Sequence, residues 1–373
     1  MRVTLCVDAL APNPSGIGRY TWELCKALPA HTDVDGVAFY GRGGLIKRPE
    51  ELLMPSPPLR RQPRWRKVRA WRKLSGWWQD RQLKSGLVHG PNYFLPPFAD
   101  AGVITVHDLS VMRFPETHPV ERIQAFEREF QASLHRATHV ITDTETVRQE
   151  VIADLGVRPE AVTAVHLGVD PAFRPRTSED LRQPLAMLGL VPGCYGLCVS
   201  TLEPRKKIAE LIAVWGRLPP SLRDRFPLVL AGGGGWRNEA IMAAIEEGAA
   251  AGWLKPLGYV DETMLPLLYA GAALFVYPSL YEGFGLPLVE AMASGVPIVA
   301  SNRSCLPEVG ASAPAYVDPE DFDGLLATLE QALDDDDWRQ SAIKQGLARA
   351  AEFSWDRCAA ATVGVYQTAV TRV

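Results

Sequence analysis

The sequence is poor in the features that mark membrane-spanning, secreted or metal-binding proteins. It has no run of about 20 apolar residues, so a transmembrane helix is not expected. The opening stretch MRVTLCVDAL is typical of a buried strand and lacks the apolar core and cleavage site of a signal peptide. The six cysteines are scattered, and the close pair Cys194 and Cys198 has no second pair or histidine nearby to complete a zinc site. We therefore expect a cytoplasmic protein with reduced thiols and no metal.

Histidine is missing from the second half of the chain. The seven histidines lie at positions 31, 89, 107, 118, 135, 139 and 166. Charge is also uneven, since residues 1–170 carry 22 basic and 19 acidic residues whereas residues 171–373 carry 17 and 24. Any chemistry that needs an imidazole must therefore come from the first half, and the second half is the more acidic.

Both halves alternate strand-like and helix-like runs. Strand-like runs such as GVITVHDL in the first half and ALFVYPS in the second are almost continuously apolar, which is typical of strands buried on both faces of a parallel sheet. The 373 residues suit two domains of roughly 150–200 residues each. The pattern predicts an α/β protein with domains at 1–175 and 185–354, a hinge near 171–185 and a final helix at 355–373. Ligands of such sheets bind beyond the carboxyl ends of the strands, so we look there for function.

Two loops of the first half follow predicted strands and carry candidate residues. In APNPSGIGRY, Gly16 and Gly18 allow close approach of the backbone to a ligand, and the helix that follows favours an anion at its start. The same residues could form a simple strand-to-helix turn. In TVHDL, His107 and Asp108 end a strand, where His107 could serve the reaction or could cap the next segment with Asp108 as its partner.

The second half has a basic cluster at a junction between strand and helix. STLEPRKKIAELI places Arg205, Lys206 and Lys207 at a predicted helix start, where acids are usually preferred. Such a cluster is unfavourable unless an anion is bound there, and a diphosphate would suit it. A solvated basic loop is the alternative. The glycines of VLAGGGGW, at 232–235, permit close approach of a ligand or form only a flexible turn.

Two glutamates eight positions apart, Glu282 and Glu290, lie in the stretch YEGFGLPLVEAMASG. Glu282 falls in a glycine-rich turn after a strand, and Glu290 falls inside an otherwise apolar helix. A buried carboxylate is unfavourable without hydrogen-bond partners. The hydroxyls of a sugar would supply such partners to both glutamates.

Taken together, these motifs resemble the retaining glycosyltransferases of family 4. EGFGLPLVE is similar to the paired-glutamate motif of the family and LEPRKK to its phosphate segment, and LGYV, LPEV and FSWDRCA follow in family order. The similarity spans nearly the whole chain and is greatest to bacterial mannosyl- and rhamnosyltransferases of O-antigen and polysaccharide synthesis. The resemblance implies the GT-B fold: two facing Rossmann-like domains, the first binding the acceptor and the second the nucleotide sugar, with the C-terminal helix crossing back to the first.

The resemblance also implies roles for individual residues. His107, Glu282, Arg205 and Lys206 would serve catalysis, with His107 near the anomeric carbon. The donor would be bound by Gly16, Arg205, Lys206, Tyr259, Val260, Glu282, Gly283, Phe284, Gly285, Leu286 and Glu290. Among these, Arg205 and Lys206 would hold the diphosphate, Glu290 the ribose and Glu282 the transferred sugar.

The expected activity is transfer of a hexose, with mannose or rhamnose favoured, from a nucleotide diphosphate sugar such as GDP-mannose to a lipid-linked or saccharide acceptor. The anomeric configuration would be retained, and no cofactor or metal would be required. The alternatives are the same fold acting with a UDP-sugar such as UDP-glucose, or a noncatalytic carbohydrate-binding protein. A nicotinamide-dependent oxidoreductase is disfavoured, because SGIGRY lacks the third glycine and no acid ends the second strand.

A basic segment rich in tryptophan occupies residues 59–84. It contains ten basic residues against the single acid Asp80, together with four of the ten tryptophans. A helix through this segment would place tryptophans on one face with cations around it, which is typical of helices at a membrane surface. The membrane-contacting residues would be Trp65, Arg66, Lys67, Trp71, Arg72 and Lys73. Packing of this helix on its own domain is the alternative, and nucleic acid is not an expected partner. We expect the enzyme at the inner face of the cytoplasmic membrane.

Overall fold

The structure is a computed structural model that describes residues 1–54, 86–118 and 120–371. The predicted membrane segment, including Trp65, Arg66, Lys67, Trp71, Arg72 and Lys73, lies outside the described residues. The chain divides into two compact units. Unit 1 consists of Met1–Asp108, Ala125–Leu167 and Trp355–Val373, and unit 2 of Leu109–Gln124 and Gly168–Ser354.

Unit 1 contains a sheet in the order β3-β2-β1-β4-β5-β6-β7. Its strands are β1 (Arg2–Cys6), β2 (Gly36–Gly41), β3 (Gly44–Ile46), β4 (Leu87–Gly90), β5 (Gly102–Val106), β6 (Ala137–Thr142) and β7 (Val162–Ala164). All neighbours are parallel except β2 and β3, which form an antiparallel hairpin. Every residue of β5 is buried, as the continuously apolar sequence predicts.

Unit 2 contains a parallel sheet in the order β10-β9-β8-β11-β12-β13. Its strands are β8 (Gly196–Val199), β9 (Leu228–Ala231), β10 (Leu254–Gly258), β11 (Leu274–Tyr277), β12 (Ile298–Ser301) and β13 (Ala315–Val317). This is the strand order of a doubly wound dinucleotide-binding sheet. Trp215 is fully buried in the core of this unit and donates its indole hydrogen to the Phe226 carbonyl at 3.1 Å.

The described helices cover the faces of the two sheets. They are α1 (Gly16–Ala27), α2 (Ser110–Arg113), α3 (Val120–Arg136), α4 (Glu145–Leu155), α5 (Ser178–Met187), α6 (Ile208–Gly216), α7 (Pro220–Arg225), α8 (Glu239–Ala250), α9 (Leu265–Ala270), α10 (Leu286–Ala293), α11 (Leu306–Gly310), α12 (Phe322–Asp334), α13 (Asp336–Ala350) and α14 (Trp355–Val370). None of the helices within the described residues is long and apolar enough to cross a membrane.

The last helix, α14, packs within unit 1 against α1, β5 and β6. Its Tyr366 hydroxyl lies 2.6 Å from Nδ1 of His89, whose Nε2 lies 2.9 Å from the Thr105 hydroxyl. Tyr20 of α1 reaches the same hydroxyl at 3.0 Å. Burial lowers the pKa of His89 to about 3, so this histidine is neutral. A buried chain of hydrogen bonds therefore ties the C-terminal helix to the centre of the first sheet.

The prediction of two parallel-sheet α/β domains is confirmed, but three details differ. The predicted hinge near 171–185 overlaps helix α5, which begins at a capping box between Thr177 and Asp180 and buries Leu181 and Leu185. The sequence pattern did not indicate this helix, because the stretch is rich in proline and charged residues. Strands β3 and β7 were not predicted, because three residues are too few to show a periodic pattern. Residues 109–124 and 168–175, predicted to belong to the first domain, group with unit 2.

Candidate active site

A buried cluster of charged residues in unit 2 lies where the strand order of its sheet reverses. Strands β8 and β11 are neighbours, while the chain continues from them toward opposite edges of the sheet. The segment after β8 carries Arg205 and Lys206, and the segment after β11 carries Glu282. Because both segments leave the carboxyl ends of adjacent parallel strands, these residues meet although 76 positions separate Lys206 from Glu282. This is the place where open α/β sheets bind ligands.

One carboxylate oxygen of Glu282 is held by two donors. Lys206 Nζ lies 2.6 Å from Glu282 Oε1, and the Tyr277 hydroxyl donates to the same oxygen at 2.5 Å. The other oxygen, Oε2, lies 3.9 Å from Arg205 Nη1, which is beyond hydrogen-bond distance. Glu282 and Lys206 are both more than nine-tenths buried. The carboxylate is therefore fixed through Oε1.

The backbone of Glu282 is fixed by the loop after β12. Ser304 Oγ donates to the Glu282 carbonyl at 2.7 Å and lies 3.3 Å from the Glu282 amide nitrogen. The Cys305 thiol also donates to this carbonyl, at 3.2 Å. Ser304 has φ of 56°, an uncommon conformation for a residue other than glycine. The sequence analysis did not predict Tyr277, Ser304 or Cys305 as part of the site. Of these, only Tyr277 could have been found from the sequence, because it places a hydroxyl at the end of the strand before Glu282.

Opposing effects determine the ionisation of Glu282. Burial raises the pKa of its carboxyl group, but the charges of Lys206 and Arg205 and the hydrogen bonds from Lys206 and Tyr277 outweigh burial. The net effect is a pKa below the ordinary value of glutamic acid. Glu282 is therefore an anion at neutral pH and can accept hydrogen bonds but not donate one.

Arg205 supports the turn that carries Glu282. Its Nη1 donates to the Tyr281 carbonyl, and its own carbonyl accepts from the Leu280 amide at 2.9 Å. Its Nη2 lies 3.5 Å from Glu203 Oε2. Thus Arg205 joins the loop after β8 to the loop after β11.

The expectation of an unbalanced basic helix start is corrected by these contacts. Helix α6 begins at Ile208, and the basic residues precede it in a short 3-10 turn, Pro204–Lys206. Carboxylates of the protein lie beside all three cations, because Lys207 also contacts Glu210 at 3.0 Å. The local charge therefore does not by itself require a bound anion. Lys206 nevertheless has three N–H donors and makes one hydrogen bond to Glu282, so the same ammonium group has donors for a second acceptor.

Glu290 lies in α10 and is 8% exposed. Burial, and then the charge of Glu290, raise the pKa of the Tyr269 phenol well above its ordinary value. The helix begins immediately after Gly285, whose φ is 88°. A Cβ atom at Gly285 would also lie 2.9 Å from Leu306 Cδ2, so glycine is required here by conformation and by space.

In unit 1, His107 follows β5 and has protein partners at both ring nitrogens. Nδ1 lies 2.7 Å from Asp143 Oδ2, and Nε2 lies 2.8 Å from the Pro91 carbonyl oxygen. A carbonyl oxygen can only accept, so Nε2 carries a hydrogen and Nδ1 shares a further proton with Asp143. Burial lowers the pKa of His107, but the charge of Asp143 and both hydrogen bonds outweigh burial and raise it overall. The pKa of Asp143 is also raised, first by burial.

The alternative, structural role predicted for His107 assumed the wrong hydrogen-bond partner. Asp108 was expected to pair with His107 in a structural role, but the carboxylate in contact is that of Asp143, at the end of the neighbouring strand β6. Asp108 instead lies near the Tyr93 hydroxyl, with its Oδ1 at 3.3 Å. The stretch HVITDT contained the signal for Asp143, because an acid ends a strand there.

Gly16 and Gly18 have different surroundings. Gly16 is exposed and begins α1 directly after Ser15, so its amide lies in the first turn of the helix. Gly18 is buried, and a Cβ atom there would lie 2.8 Å from Pro14 Cβ and 3.1 Å from the Ala9 carbonyl oxygen. Gly18 is therefore needed for packing of the loop on α1, whereas Gly16 presents backbone to solvent.

Two family models match the chain, one in each half. Residues 14–173 match Glycosyltransferase Family 4, and residues 195–349 match Glycosyl transferases group 1. The O-antigen chain mannosyltransferase B of Escherichia coli is 35% identical over 379 aligned residues, which cover 98% of this chain and 100% of the relative. The chain belongs to glycosyltransferase family 4.

Solved structures show the fold of this family 4 glycosyltransferase. The chain resembles HepE of Anabaena, in complex with UDP and glucose, with a TM-score of 0.73 and 16% identity, covering 99% of this chain and 100% of the other. It resembles WaaG, a glycosyltransferase involved in lipopolysaccharide biosynthesis, with a TM-score of 0.72 and 17% identity, covering 98% and 99%. The glycosyltransferase therefore has the GT-B fold, as the sequence motifs predicted.

The remaining residues predicted to bind the nucleotide-sugar donor fall into two groups. Tyr259 and Val260 follow β10, with Tyr259 50% exposed. Gly283, Phe284 and Leu286 surround the start of α10. The Phe284 ring is buried in an edge-to-face contact with Phe353, at 5.5 Å between centroids. A donor could therefore contact Phe284 only through its backbone.

Within the part of the chain that the structure describes, no group of three or more histidine, cysteine, aspartate or glutamate side chains is arranged to hold a metal ion. The described acidic side chains nearest the site, Glu203 and Glu282, contact Arg205 and Lys206 instead.

Proposed function

We propose that this glycosyltransferase moves a hexose, with mannose or rhamnose favoured, from a nucleotide diphosphate sugar to a saccharide or lipid-linked acceptor in the synthesis of a cell-surface polysaccharide. GDP-mannose is the proposed donor. The name of the Escherichia coli relative, which aligns along nearly the whole chain, supports mannose and an O-antigen type of product. The observation that carries the proposal is the buried cluster of Lys206, Tyr277 and Glu282 at the reversal of strand order.

The cluster suggests how the donor is held. Lys206 donates to Glu282 and still has N–H groups to offer a phosphate oxygen, so one ammonium group can connect the diphosphate to Glu282. Oε2 of Glu282 would accept from a hydroxyl of the transferred sugar. Glu290 would accept from the ribose, and the backbone at Tyr259 and Val260 would flank the base. Arg205 would add positive charge near the leaving phosphate.

The proposed reaction retains the anomeric configuration. The bond between the anomeric carbon and the phosphate oxygen breaks while a bond forms from the acceptor hydroxyl on the same face, and the acceptor proton passes to the leaving phosphate oxygen. Lys206 and Arg205 would stabilise the negative charge that develops on the phosphate. His107 could reach the sugar only by changing its contact with the Pro91 carbonyl, since both ring nitrogens have protein partners.

Because two cations of the protein serve the diphosphate in this proposal, the reaction would need no metal. Activity measured after treatment with excess EDTA should equal that of untreated enzyme. Loss of activity that magnesium or manganese restores would contradict this part of the proposal.

The donor is tested with the full-length protein and a panel of GDP-mannose, GDP-rhamnose, UDP-glucose, ADP-glucose and dTDP-rhamnose. The matching nucleotide should raise the melting temperature most, and the matching sugar should be released or transferred with the anomeric configuration kept, as read by NMR. A preference for UDP-glucose would support the alternative donor. No turnover with any member of the panel, despite nucleotide binding, would favour a noncatalytic carbohydrate-binding protein.

Substitutions of the two glutamates should have different effects in this assay. Glu290→Gln should weaken binding of the free nucleotide, because its proposed partner is the ribose. Glu282→Gln should leave free nucleotide binding nearly unchanged and reduce turnover, because its proposed partner is the sugar. The reverse pattern would exchange the two roles.

Binding to an anionic membrane surface is a second proposal, and it is supported by the composition of residues 59–84 alone. Each Lys or Arg near such a surface contributes on the order of 1 kcal/mol, and salt weakens the interaction. The protein should cosediment with vesicles that contain anionic lipid, and less so at high salt. Replacing Arg66, Lys67, Arg72 and Lys73 with Ser should release it without affecting nucleotide affinity. If the unchanged protein ignores anionic vesicles at low salt, the proposal is wrong.

A further inference from the structure

Segment 109–118 follows β5 of unit 1 along the chain but groups with unit 2. It includes the short helix α2 and begins two residues after His107, and its first three residues, Leu109, Ser110 and Val111, are buried. None of its residues is among those proposed to bind the donor. Because His107 is proposed to lie near the anomeric carbon, the contacts that hold this segment bear on the geometry of the reaction.

Tyr281 holds the beginning of the segment. Its hydroxyl accepts a hydrogen bond from the Leu109 amide at 3.0 Å, and its ring lies against the Phe114 ring with the centroids 5.1 Å apart. Tyr281 is 3% exposed and Leu109 is fully buried, so water competes little for this hydrogen bond. Removal of the hydroxyl would take a hydrogen-bond acceptor from a buried amide, which is unfavourable.

The loop after β9 holds the end of the segment. The Trp236 ring lies against the buried His118 ring with the centroids 5.7 Å apart, and Arg237 donates to the Glu116 carbonyl. Arg237 has φ of 54°, a conformation uncommon in residues other than glycine. Since β8 lies between β9 and β11, the segment runs from the loop after β11 to the loop after β9, past the carboxyl end of β8. It therefore spans the part of the sheet at which the candidate site lies.

The backbone of Tyr281 belongs to the turn that carries Glu282. Arg205 donates to the Tyr281 carbonyl, the group that forms the peptide bond to Glu282. Tyr281 is thus fixed at its carbonyl, next to Glu282, and at its hydroxyl, on Leu109. Two residues of chain span at most about 7 Å, so the Cα atom of His107 lies within that distance of the residue that Tyr281 holds.

We propose that Tyr281 is a positioning residue of the transfer reaction, which fixes the turn of Glu282 to the segment that begins beside His107. Tyr281 touches neither donor nor acceptor and acts through its hydroxyl on the Leu109 amide. The inference rests on the proposed function, because the roles of Glu282 and His107 in transfer belong to it. It adds the contact that relates the glutamate proposed to bind the sugar to the histidine proposed to lie near its anomeric carbon.

Hydrogen exchange of the full-length protein without ligand tests the contact itself. Tyr281→Phe keeps the ring against Phe114 and removes only the hydroxyl. Peptides that cover residues 107–114 should exchange about tenfold faster in this variant, because the Leu109 amide has lost its acceptor. Tyr195→Phe is the matched control, since it also removes a buried hydroxyl of unit 2, and it should leave exchange in 107–114 unchanged.

The surroundings of His107 can be followed without turnover. In protein with isotope-labelled histidine rings, the NMR resonance of the His107 ring is assigned by its loss in His107→Ala. This resonance should shift in Tyr281→Phe, because the chain beside His107 is released, and should stay in place in Tyr195→Phe.

Kinetics separate positioning from a structural role. Tyr281→Phe should lower kcat by about tenfold to a hundredfold while GDP affinity and the donor KM stay the same, because misplacement of reacting groups affects the transition state. In the His107→Ala protein the same substitution should lower kcat by a smaller factor, since residues that act through one another are not additive. If Tyr281→Phe is too unstable to purify, Phe114→Leu loosens the same contact and should raise exchange in 107–114 and lower kcat.

Unchanged exchange in 107–114, or a His107 resonance that moves equally in Tyr281→Phe and Tyr195→Phe, would overturn the proposal. An unchanged kcat in Tyr281→Phe, or the same fold-change with and without His107, would overturn it as well. If exchange and the resonance change as expected but the unmodified protein turns over no nucleotide sugar, the connection through Tyr281 stands and the proposed transfer reaction fails.

Discussion

At the scale of single residues, Glu282 shows how a buried carboxylate is kept ionised and held in one orientation. Lys206 and Tyr277 occupy Oε1, and Ser304 holds the backbone of the same residue. These contacts leave the Glu282 side chain little rotational freedom. Arg205 Nη1 lies 3.9 Å from its other oxygen, Oε2, which is beyond hydrogen-bond distance. The role of Tyr277 can be measured apart from that of Lys206, because a phenol hydroxyl carries no charge that a diphosphate would need.

Tyr277→Phe should lower kcat/KM by about tenfold to a hundredfold while leaving GDP affinity unchanged, since a hydrogen bond to a charged group contributes about 1.5–3 kcal/mol. The Tyr277 hydrogen bond lowers the pKa of Glu282, so its loss should raise that pKa. The acid limb of the pH profile of kcat/KM should then move to higher pH. Kinetics of donor turnover across pH 4 to 8 would measure both effects.

Tyr195→Phe is the matched control for this prediction. Tyr195 is a buried tyrosine of the same unit that donates to the Leu268 carbonyl at 2.5 Å, away from Glu282. Its loss should cost stability but leave the pH profile in place. Identical profiles for Tyr277→Phe and Tyr195→Phe would show that Tyr277 has only a structural role.

The pair of His107 and Asp143 should make stability depend on pH. The folded-state pKa of both groups is raised, so the folded protein binds a proton more tightly than the unfolded chain does. Stability from His107 is fully present below about pH 6.5, its ordinary pKa, and is lost as pH rises through the higher folded value. The free energy of unfolding should therefore fall above pH 6.5, with a slope of at most about 1.4 kcal/mol per pH unit for one proton.

Urea unfolding between pH 6 and 9 would measure this slope. Asp143→Asn removes the negative charge that raises the pKa of His107 and should therefore flatten the slope. If Asp143→Asn keeps the full slope, other groups cause the pH dependence.

At the scale of secondary-structure elements, Gly18 allows α1 to pack closely against the loop after β1. Gly18→Ala should destabilise the protein by about 1–3 kcal/mol, because the new Cβ would overlap Pro14 Cβ and crowd the Ala9 carbonyl. Gly364→Ala in α14 is the control, since nothing lies within 4 Å of the new Cβ. That change should stabilise by roughly 0.5–1 kcal/mol, as alanine does in helices.

Thermal unfolding of the two glycine variants would decide between these expectations. Equal melting temperatures would mean that the loop relaxes away from α1 at no cost.

At the scale of the whole molecule, the two units share one arrangement. In each, the strand order reverses between two neighbouring strands, β1 and β4 in one unit and β8 and β11 in the other, and in unit 2 the candidate site lies at this reversal. Each is built from distant parts of the chain, since unit 1 includes the last helix and unit 2 includes residues 109–124.

Nucleotide binding should therefore be visible mainly in unit 2. In hydrogen exchange followed by mass spectrometry, GDP should slow exchange in peptides that cover residues 203–207 and 282–290, because bound ligand opposes local opening. Peptides that cover 87–106 should change little. Protection that is strongest in 87–106 would place the nucleotide in unit 1 and contradict the assignment of the two units.

The sequence by itself determined the two alternating α/β halves, the buried strand within ALFVYPS of the second sheet and the paired glutamates of the family motif. These follow from apolar periodicity and from short motifs, which neighbouring residues define. Only the tertiary structure decided that Tyr277 and Lys206 share one oxygen of Glu282, and that Asp143 rather than Asp108 pairs with His107. Such contacts depend on which strands lie side by side, and a crossover connection can bring together strands that are distant along the chain, as it does for β8 and β11.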